Sequence, residues 1–381
     1  MNLHSKLPDV GTTIFTRMSA LAREHGAINL SQGFPDFPAP EGLRQALARH
    51  ALEGHNQYAP MIGEAALREQ VALQLQNFRG VAADPTEEIT IVPGATEGLF
   101  CAIMALVGRD DEVILLDPSY DSYEPAVRLA GGRAVHVPLN NRDFSVDWER
   151  VTGALSPRSR MIVINSPHNP TGAVLSHSDL ETLQALAEQH DLLVVSDEVY
   201  EHLVFDGARH HSVLQYPALR ARSVAVYSFG KTYGVTGWKT GYCVAPAAIT
   251  AELRKVHQFN CFVGVTPVQL ALADFMAAEP AYPAALPAFY QAKRDLLQRA
   301  LAPSRFRLRP SPGTYFQLLD YGAISDEPDH QLCERWTREH GVASIPISIF
   351  YQAPPQQHFL RLCFAKQDEQ LLRAAEVLCR I

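Results

Sequence analysis

Ser228, Lys231 and Lys239 fall close together in Ser228-Phe229-Gly230-Lys231-Thr232-Tyr233-Gly234-Val235-Thr236-Gly237-Trp238-Lys239, a stretch punctuated by glycine. Two amines beside a hydroxyl could hold an anion, and one amine pressed against the other would have the lowered pKa that imine formation needs. Solvated lysines on a surface loop would look the same. Asp197, in Ser196-Asp197-Glu198-Val199-Tyr200, needs a cationic partner if buried, or serves as a helix N-cap. Asn165 and Asn169 sit in a run stiffened by Pro167, Pro170 and Gly172, which suits fixed hydrogen bonding. Pro93-Gly94-Ala95-Thr96-Glu97-Gly98 leads into an apolar stretch. A helix opening on such small residues exposes N–H groups and its positive dipole end, a phosphate site, although a plain tight turn fits as well. Arg361 interrupts the apolar run 359–364 and, if buried, requires an anionic ligand or a salt bridge.

Strands and helices must bring these groups together. The runs 89–92, 113–116, 161–164, 192–195 and 223–227 are short, apolar and rich in β-branched residues, as strands covered on both faces are. Helical patterns lie between them, clearest over 178–190, where Ser178 and Glu181 form a capping box ahead of Leu183, Leu186 and Ala187. This alternation predicts a doubly wound α/β core, which binds ligands at the carboxyl ends of its strands. Gly94, Asn165, Asp197 and Ser228 follow closely on four of the runs. Beyond about 285 the pattern changes to a helix over 290–301, a proline-rich turn, and strands over 315–319 and 359–364. The first 45 residues, extended at Pro35, Pro38 and Pro40, should run beside that C-terminal part rather than join the sheet. The expected organisation is a segment 1–45 packing with the small domain, a large domain 46–285 and a small α+β domain 286–381.

Pyridoxal 5'-phosphate needs all of these features at once: an imine-forming lysine, an anion site, a carboxylate that keeps its ring nitrogen protonated, and donors to its ring oxygen. The quoted runs, together with Asn29-Leu30-Ser31-Gln32-Gly33-Phe34-Pro35-Asp36 and Asn56-Gln57-Tyr58, resemble the class I aminotransferases of fold type I. The resemblance extends from Thr13-Ile14-Phe15 to Phe359-Leu360-Arg361-Leu362 and is strongest to the branch of methionine and kynurenine aminotransferases. It implies an α/β fold with a mostly parallel, doubly wound sheet of the seven-stranded type and a smaller α+β domain.

The resemblance also implies roles. Lys231 carries the cofactor as a Schiff base, Asp197 pairs with its ring nitrogen, and Asn169 and Tyr200 bond its ring oxygen. Gly94, Ala95 and Thr96, with Ser228 and Lys239, grip the phosphate, and Tyr58 reaches over from the partner of a homodimer. Tyr120 stacks on the ring. Arg361 binds the substrate carboxylate with help from Asn169 and the Gly33 backbone. Lys239 stands where many class I enzymes carry arginine; the methionine and kynurenine branch resembles this sequence in having lysine there.

The reaction so implied is transamination between an amino acid and a 2-oxo acid, with Lys231 as acid and base. No position matches the second arginine of dicarboxylate-specific relatives; an aromatic pocket from Phe15, Phe34, Tyr58, Tyr120, Phe262 and Phe350 suits methionine, glutamine and aromatic donors. Core packing would explain Phe15, Phe262 and Phe350 equally. A carbon–sulfur β-lyase would use the same lysine, aspartate and arginine. A different class is suggested by residues 225–232, which resemble the tail of a phosphate-binding P-loop except that Ala225 replaces its first glycine and Val226, Tyr227 and Phe229 are bulky. A ligand-sensing regulator would lack room for a DNA-binding domain.

Composition agrees with a soluble enzyme: 47% hydrophobic and 19% charged residues over 381, with a formal charge of −8. Lys and Arg are scattered, leaving no basic face for nucleic acid or anionic lipid. Cys101, Cys243, Cys261, Cys333, Cys363 and Cys379 show no C-x-x-C pair and read as reduced residues, and no metal site is expected. There is no signal-like N-terminus and no apolar run of membrane-spanning length, so a cytoplasmic enzyme is expected.

Overall fold

The computed structural model describes residues 4–381. Each of the five apolar runs is a strand of one seven-stranded sheet, since β-branched side chains pack well where both faces are covered. In chain order the strands are β1 Ile89–Val92, β2 Glu112–Asp117, β3 Arg133–Pro138, β4 Ser159–Asn165, β5 Leu193–Asp197, β6 Ser223–Ser228 and β7 Gly241–Val244. They lie in the order β1-β7-β6-β5-β4-β2-β3, and within this sheet only β7 runs against its neighbours. Successive residues feed opposite faces: Ile162 and Ile164 enter one hydrophobic cluster, Met161 and Val163 the other.

Two strands were not foreseen from sequence. β3 is a partly exposed edge strand closed by Pro138 and lacks the continuous apolar run of its neighbours. β7 opens on Gly241, where a Cβ would lie 2.4 Å from the Tyr227 carbonyl oxygen, so the close pairing itself demands glycine.

Helix α1, Ala95–Leu106, starts directly after β1 from Gly94, whose φ of 85° is the left-handed region that favours glycine. Helix α2 spans His177–Gln189 and corrects the expected capping box: the pair is Ser176 with Asp179, not Ser178 with Glu181. Both pairs have the right spacing, but Asp179 also accepts the Trp148 indole N–H at 2.9 Å, and the earlier start buries Leu180 with Leu183 and Leu186. Helix α3, Tyr282–Leu301, begins well before the expected Tyr290, with Pro283 in its first turn and Pro287 inside it. One lost backbone hydrogen bond at Pro287 is tolerated because Leu286 and Tyr290 bury the same face.

The expected C-terminal strands exist as Phe316–Asp320 and Phe359–Cys363, paired antiparallel with Leu318 opposite Arg361 in a four-stranded sheet. The N-terminal segment lies against this part: Ile28–Asn29 pairs in parallel with Val342–Ala343, and Leu30 N donates to Ala343 O at 3.1 Å. The helices Glu41–Leu52 and α3 run through the residues where the sequence places the two domain junctions. Among the described residues no helix is long and apolar enough to cross a membrane.

Candidate active site

The carboxyl ends of β1, β4, β5 and β6 and the loop after β2 open on one cavity of about 330 Å³, closed from the other side by the N-terminal segment and the small sheet. Asp197 ends β5 and is 5% exposed. Its Oδ2 accepts the Tyr123 hydroxyl at 2.7 Å and its Oδ1 the Val199 N–H at 3.3 Å, yet burial outweighs both and raises its pKa to about 6. The charge of Lys231 also pulls the pKa down, without offsetting burial. Asn165, expected at the site, lines the cavity but is spent on structure: its Nδ2 donates to Asp197 O at 2.8 Å and its Oδ1 accepts Asn169 N–H at 2.7 Å.

Lys231 sits in the short helix Phe229–Thr232 that follows β6. Burial, aided by the positive charges of Arg361 and Lys239, lowers its pKa to about 8. Its Nζ donates to the Tyr315 hydroxyl at 2.9 Å and lies 5.5 Å from the ring centres of both Tyr200 and Tyr315. Gly94, Ala95, Thr96, Ser228 and Lys239 gather at the other end of the cavity, where a Cβ on Gly94 would stand 3.4 Å from Lys239 Nζ. An amine poised over the open N–H groups of α1 forms an anion cradle. Tyr120 joins this wall, its pKa raised to about 12 chiefly by burial.

Arg361 is 1% exposed. Its Nη1 donates to Asn169 Oδ1 at 2.7 Å and its Nη2 to Ser31 O at 2.8 Å, while its Nε has no partner. The guanidinium stacks 3.9 Å from the Phe316 ring centre and 5.2 Å from that of Phe15. Among the described residues no carboxylate lies within ion-pair distance, so the structural salt bridge that could have explained this arginine is not present. Burial lowers its pKa, the mark of a cation short of counter-charge.

Of the residues expected at the site, Lys231, Asp197, Tyr200, Gly94, Ala95, Thr96, Tyr120, Asn169, Ser228, Lys239, Arg361, Gly33, Phe34 and Phe15 all line the cavity. Two do not. Phe350 is buried behind Phe15, with ring centres 6.0 Å apart, and its carbonyl is held by Ser119 N–H at 2.7 Å. Tyr58 is 85% exposed and packs edge-on against Phe262 at 5.5 Å, outside its own chain's cavity. Sequence reasoning missed Tyr123, Tyr315 and Phe316, whose roles follow from tertiary contacts with Asp197, Lys231 and Arg361. The P-loop alternative fails on geometry, because residues 225–228 belong to β6 and Val226, Tyr227 and Phe229 are buried core. Glu97, Cys101 and His257 offer ligand atoms close enough to share a metal ion, but Cys101 and His257 both bond Glu97 Oε1 and none of the three lines the cavity.

Residues 25–378 match the family described as aminotransferase class I and II. The chain is 53% identical to the methionine aminotransferase of Escherichia coli, over 98% of this chain and 97% of that protein. A solved structure from the same species, reported with a methionine aminotransferase function, superposes with a TM-score of 0.97 over 100% of both chains. The N-succinyldiaminopimelate aminotransferase structure from Mycobacterium tuberculosis, 39% identical, covers 100% of both chains with a TM-score of 0.96. Human kynurenine–oxoglutarate transaminase 1 is 34% identical over 93% of this chain and 92% of its own.

Proposed function

The chain belongs to the class I and II aminotransferases and is a transaminase, and from that premise we propose that it binds pyridoxal 5'-phosphate through Lys231 and acts on neutral amino acids. The donors are sulfur-containing or aromatic L-amino acids of the methionine, glutamine, phenylalanine or kynurenine type, and the acceptor is a 2-oxo acid. The observation that carries this reading is Arg361, a buried guanidinium without a counter-charge, facing the same cavity as Lys231 and Asp197. The identity with a methionine aminotransferase supports the donor class.

The residues present fit the cofactor. Asp197 wants a positive partner, which a protonated ring nitrogen provides; the cradle of α1, Ser228 and Lys239 suits a phosphate dianion; Tyr120 offers a ring face. Asn169 gives its Oδ1 to Arg361 and keeps its amide N–H groups for a ring oxygen. When bound, the cofactor supplies a carbonyl that carries the amino group and a conjugated ring that draws off the electron pair left by the departing α-proton.

The protein's part is binding, orientation and proton transfer. Arg361 takes the α-carboxylate in charge-assisted bonds, with Asn169 and the Gly33 backbone beside it, and so fixes the α-carbon near Lys231. Lys231 Nζ, with its pKa near 8, is partly neutral at neutral pH, takes the α-proton and returns it on the other side of the transfer. Phe15, Phe34 and Phe316 line the substrate end and exclude water. The cations of the lining are Lys231, Lys239 and Arg361, which leaves none for a distal carboxylate.

The working form is a homodimer. Tyr58, Phe262 and Val265 are exposed together beside the contact of Thr266 Oγ1 with Gln57 O, and Phe262 holds a φ of 72°, a conformation that side chains rarely adopt without support. In that dimer Tyr58 reaches the partner's phosphate end. The six cysteines, all free thiols, suit the cytoplasm. Residues 1–45 and 286–381 act as one small unit over the large domain 46–285.

A screen of amino donors against one fixed 2-oxo acid tests the reading. Methionine, glutamine and aromatic donors should exceed aspartate by at least about tenfold in kcat/KM; the reverse order, or pyruvate release from cystathionine without any acceptor as the main reaction, would overturn it.

A further inference from the structure

Lys231 is held by a residue that the functional reading leaves unused. Its Nζ donates to Tyr315 Oη at 2.9 Å and to the Gly33 carbonyl at 3.3 Å, and Tyr315 Oη donates to that same carbonyl at 2.5 Å. A phenol has one proton, and this one is committed to Gly33 O, so toward Lys231 the hydroxyl can only accept. Tyr315 is fully buried, edge-on to Tyr200 at 5.1 Å and to Phe316 at 5.0 Å, and burial pushes its pKa well above 10. It therefore stays a neutral phenol. Gly33 is part of the same device, because a Cβ there would lie 2.6 Å from Phe316 Cζ and 3.2 Å from Tyr315 Cε2. Only glycine brings the carbonyl this close.

Resting on the reading of Lys231 as the cofactor-binding amine, the geometry points to Tyr315 as a positioning residue: a proton-inert acceptor that parks the ε-amine at one place and ties it to Gly33. The lysine stem has several rotamers of similar energy, and the freed amine must stay within reach of the α-carbon. A fixed acceptor selects one of them. It also favours the ammonium form and so works against the downward pull of burial on Lys231. Because Gly33 is the backbone expected beside the substrate carboxylate, the place of the amine and the place of the substrate share one anchor.

Tyr315→Phe keeps the ring stack and removes only the acceptor. In the full-length chain freed of cofactor, the pH midpoint for reductive methylation of Lys231, read by peptide mass, should fall by about one unit. In the loaded enzyme kcat should fall about tenfold while KM for the amino donor stays within about twofold. Tyr290→Phe removes an equally buried hydroxyl from the same aromatic stack, with ring centres 5.9 Å from Tyr315, and should leave both readings unchanged. An unshifted lysine midpoint in Tyr315→Phe overturns the proposal, as does an equal shift in Tyr290→Phe, which would trace the effect to loosened packing. The lysine titration reads Tyr315 whether or not Lys231 carries the cofactor. Failure of the functional reading would show separately, as a borohydride-fixed cofactor label on a lysine other than Lys231.

Discussion

On one wall of the cavity, Gly94, Asn169, Asp197, Ser228 and Lys231 lie at or just beyond the carboxyl ends of four strands of the large sheet; on the other, Phe15, Phe34, Phe316 and Arg361 come from both ends of the chain. The first wall is set by backbone geometry and charge, the second by how aromatic rings pack around one guanidinium. On the proposed function, reaction chemistry and substrate choice reside in different architectures and should fail separately when each is altered.

The largest separation is expected at Asp197. Asp197→Asn should lower turnover of the methionine half-reaction about 10³-fold, read by single-turnover kinetics, with little change in substrate KM. The same change should stabilise the cofactor-free chain. The folded pKa of Asp197 is raised to about 6 from 3.8, so below about pH 4 the acid is neutral folded or unfolded and carries no penalty. Between about pH 4 and 6 the unfolded chain ionises while the folded one keeps its proton, so stability falls, and above 6 the full cost of the buried charge, on the order of 3 kcal/mol, is in place. Thermal melts should show Asp197→Asn ahead of the parent chain at pH 8 and level with it near pH 4.

Arg361→Ala attacks the opposite wall. It should raise KM for every donor about 10²-fold, with the smaller loss in kcat, as removal of a buried charge-assisted pair does. Should kcat fall as far as it does for Asp197→Asn, the two walls are not separable. Phe15→Ala should cost about tenfold in kcat/KM for phenylalanine relative to glutamine, since the aromatic wall contacts the larger side chain. Tyr123→Phe is the smallest change: losing the bond to Asp197 Oδ2 should raise that carboxyl's pKa further and reduce turnover about fivefold, most visibly at acidic pH.

The same contrast explains what could be read from the sequence. The five central strands announce themselves as apolar runs, and the groups after them inherit their places from sheet geometry, so this wall of the cavity was legible residue by residue. The edge strand β3, half polar, and β7, opened by a glycine that pairs too tightly for any side chain, carry no such mark. Tyr315 and Phe316 gain meaning only because their strand pairs with the one bearing Arg361, and no local pattern encodes a partner more than forty residues away. Tyr58 was placed by resemblance alone, and a single chain leaves it on the surface. The capping box was off by two residues because two serine–acid pairs compete and Trp148 decides between them.

The central claim is that Lys231 is the amine that binds the cofactor. Borohydride reduction of the loaded protein, followed by digestion and peptide mass mapping, tests it directly. A phosphopyridoxyl label on the peptide carrying Lys231, and its loss in Lys231→Ala, is the predicted result; a label on Lys239 or any other lysine, with Lys231 unmodified, would contradict it.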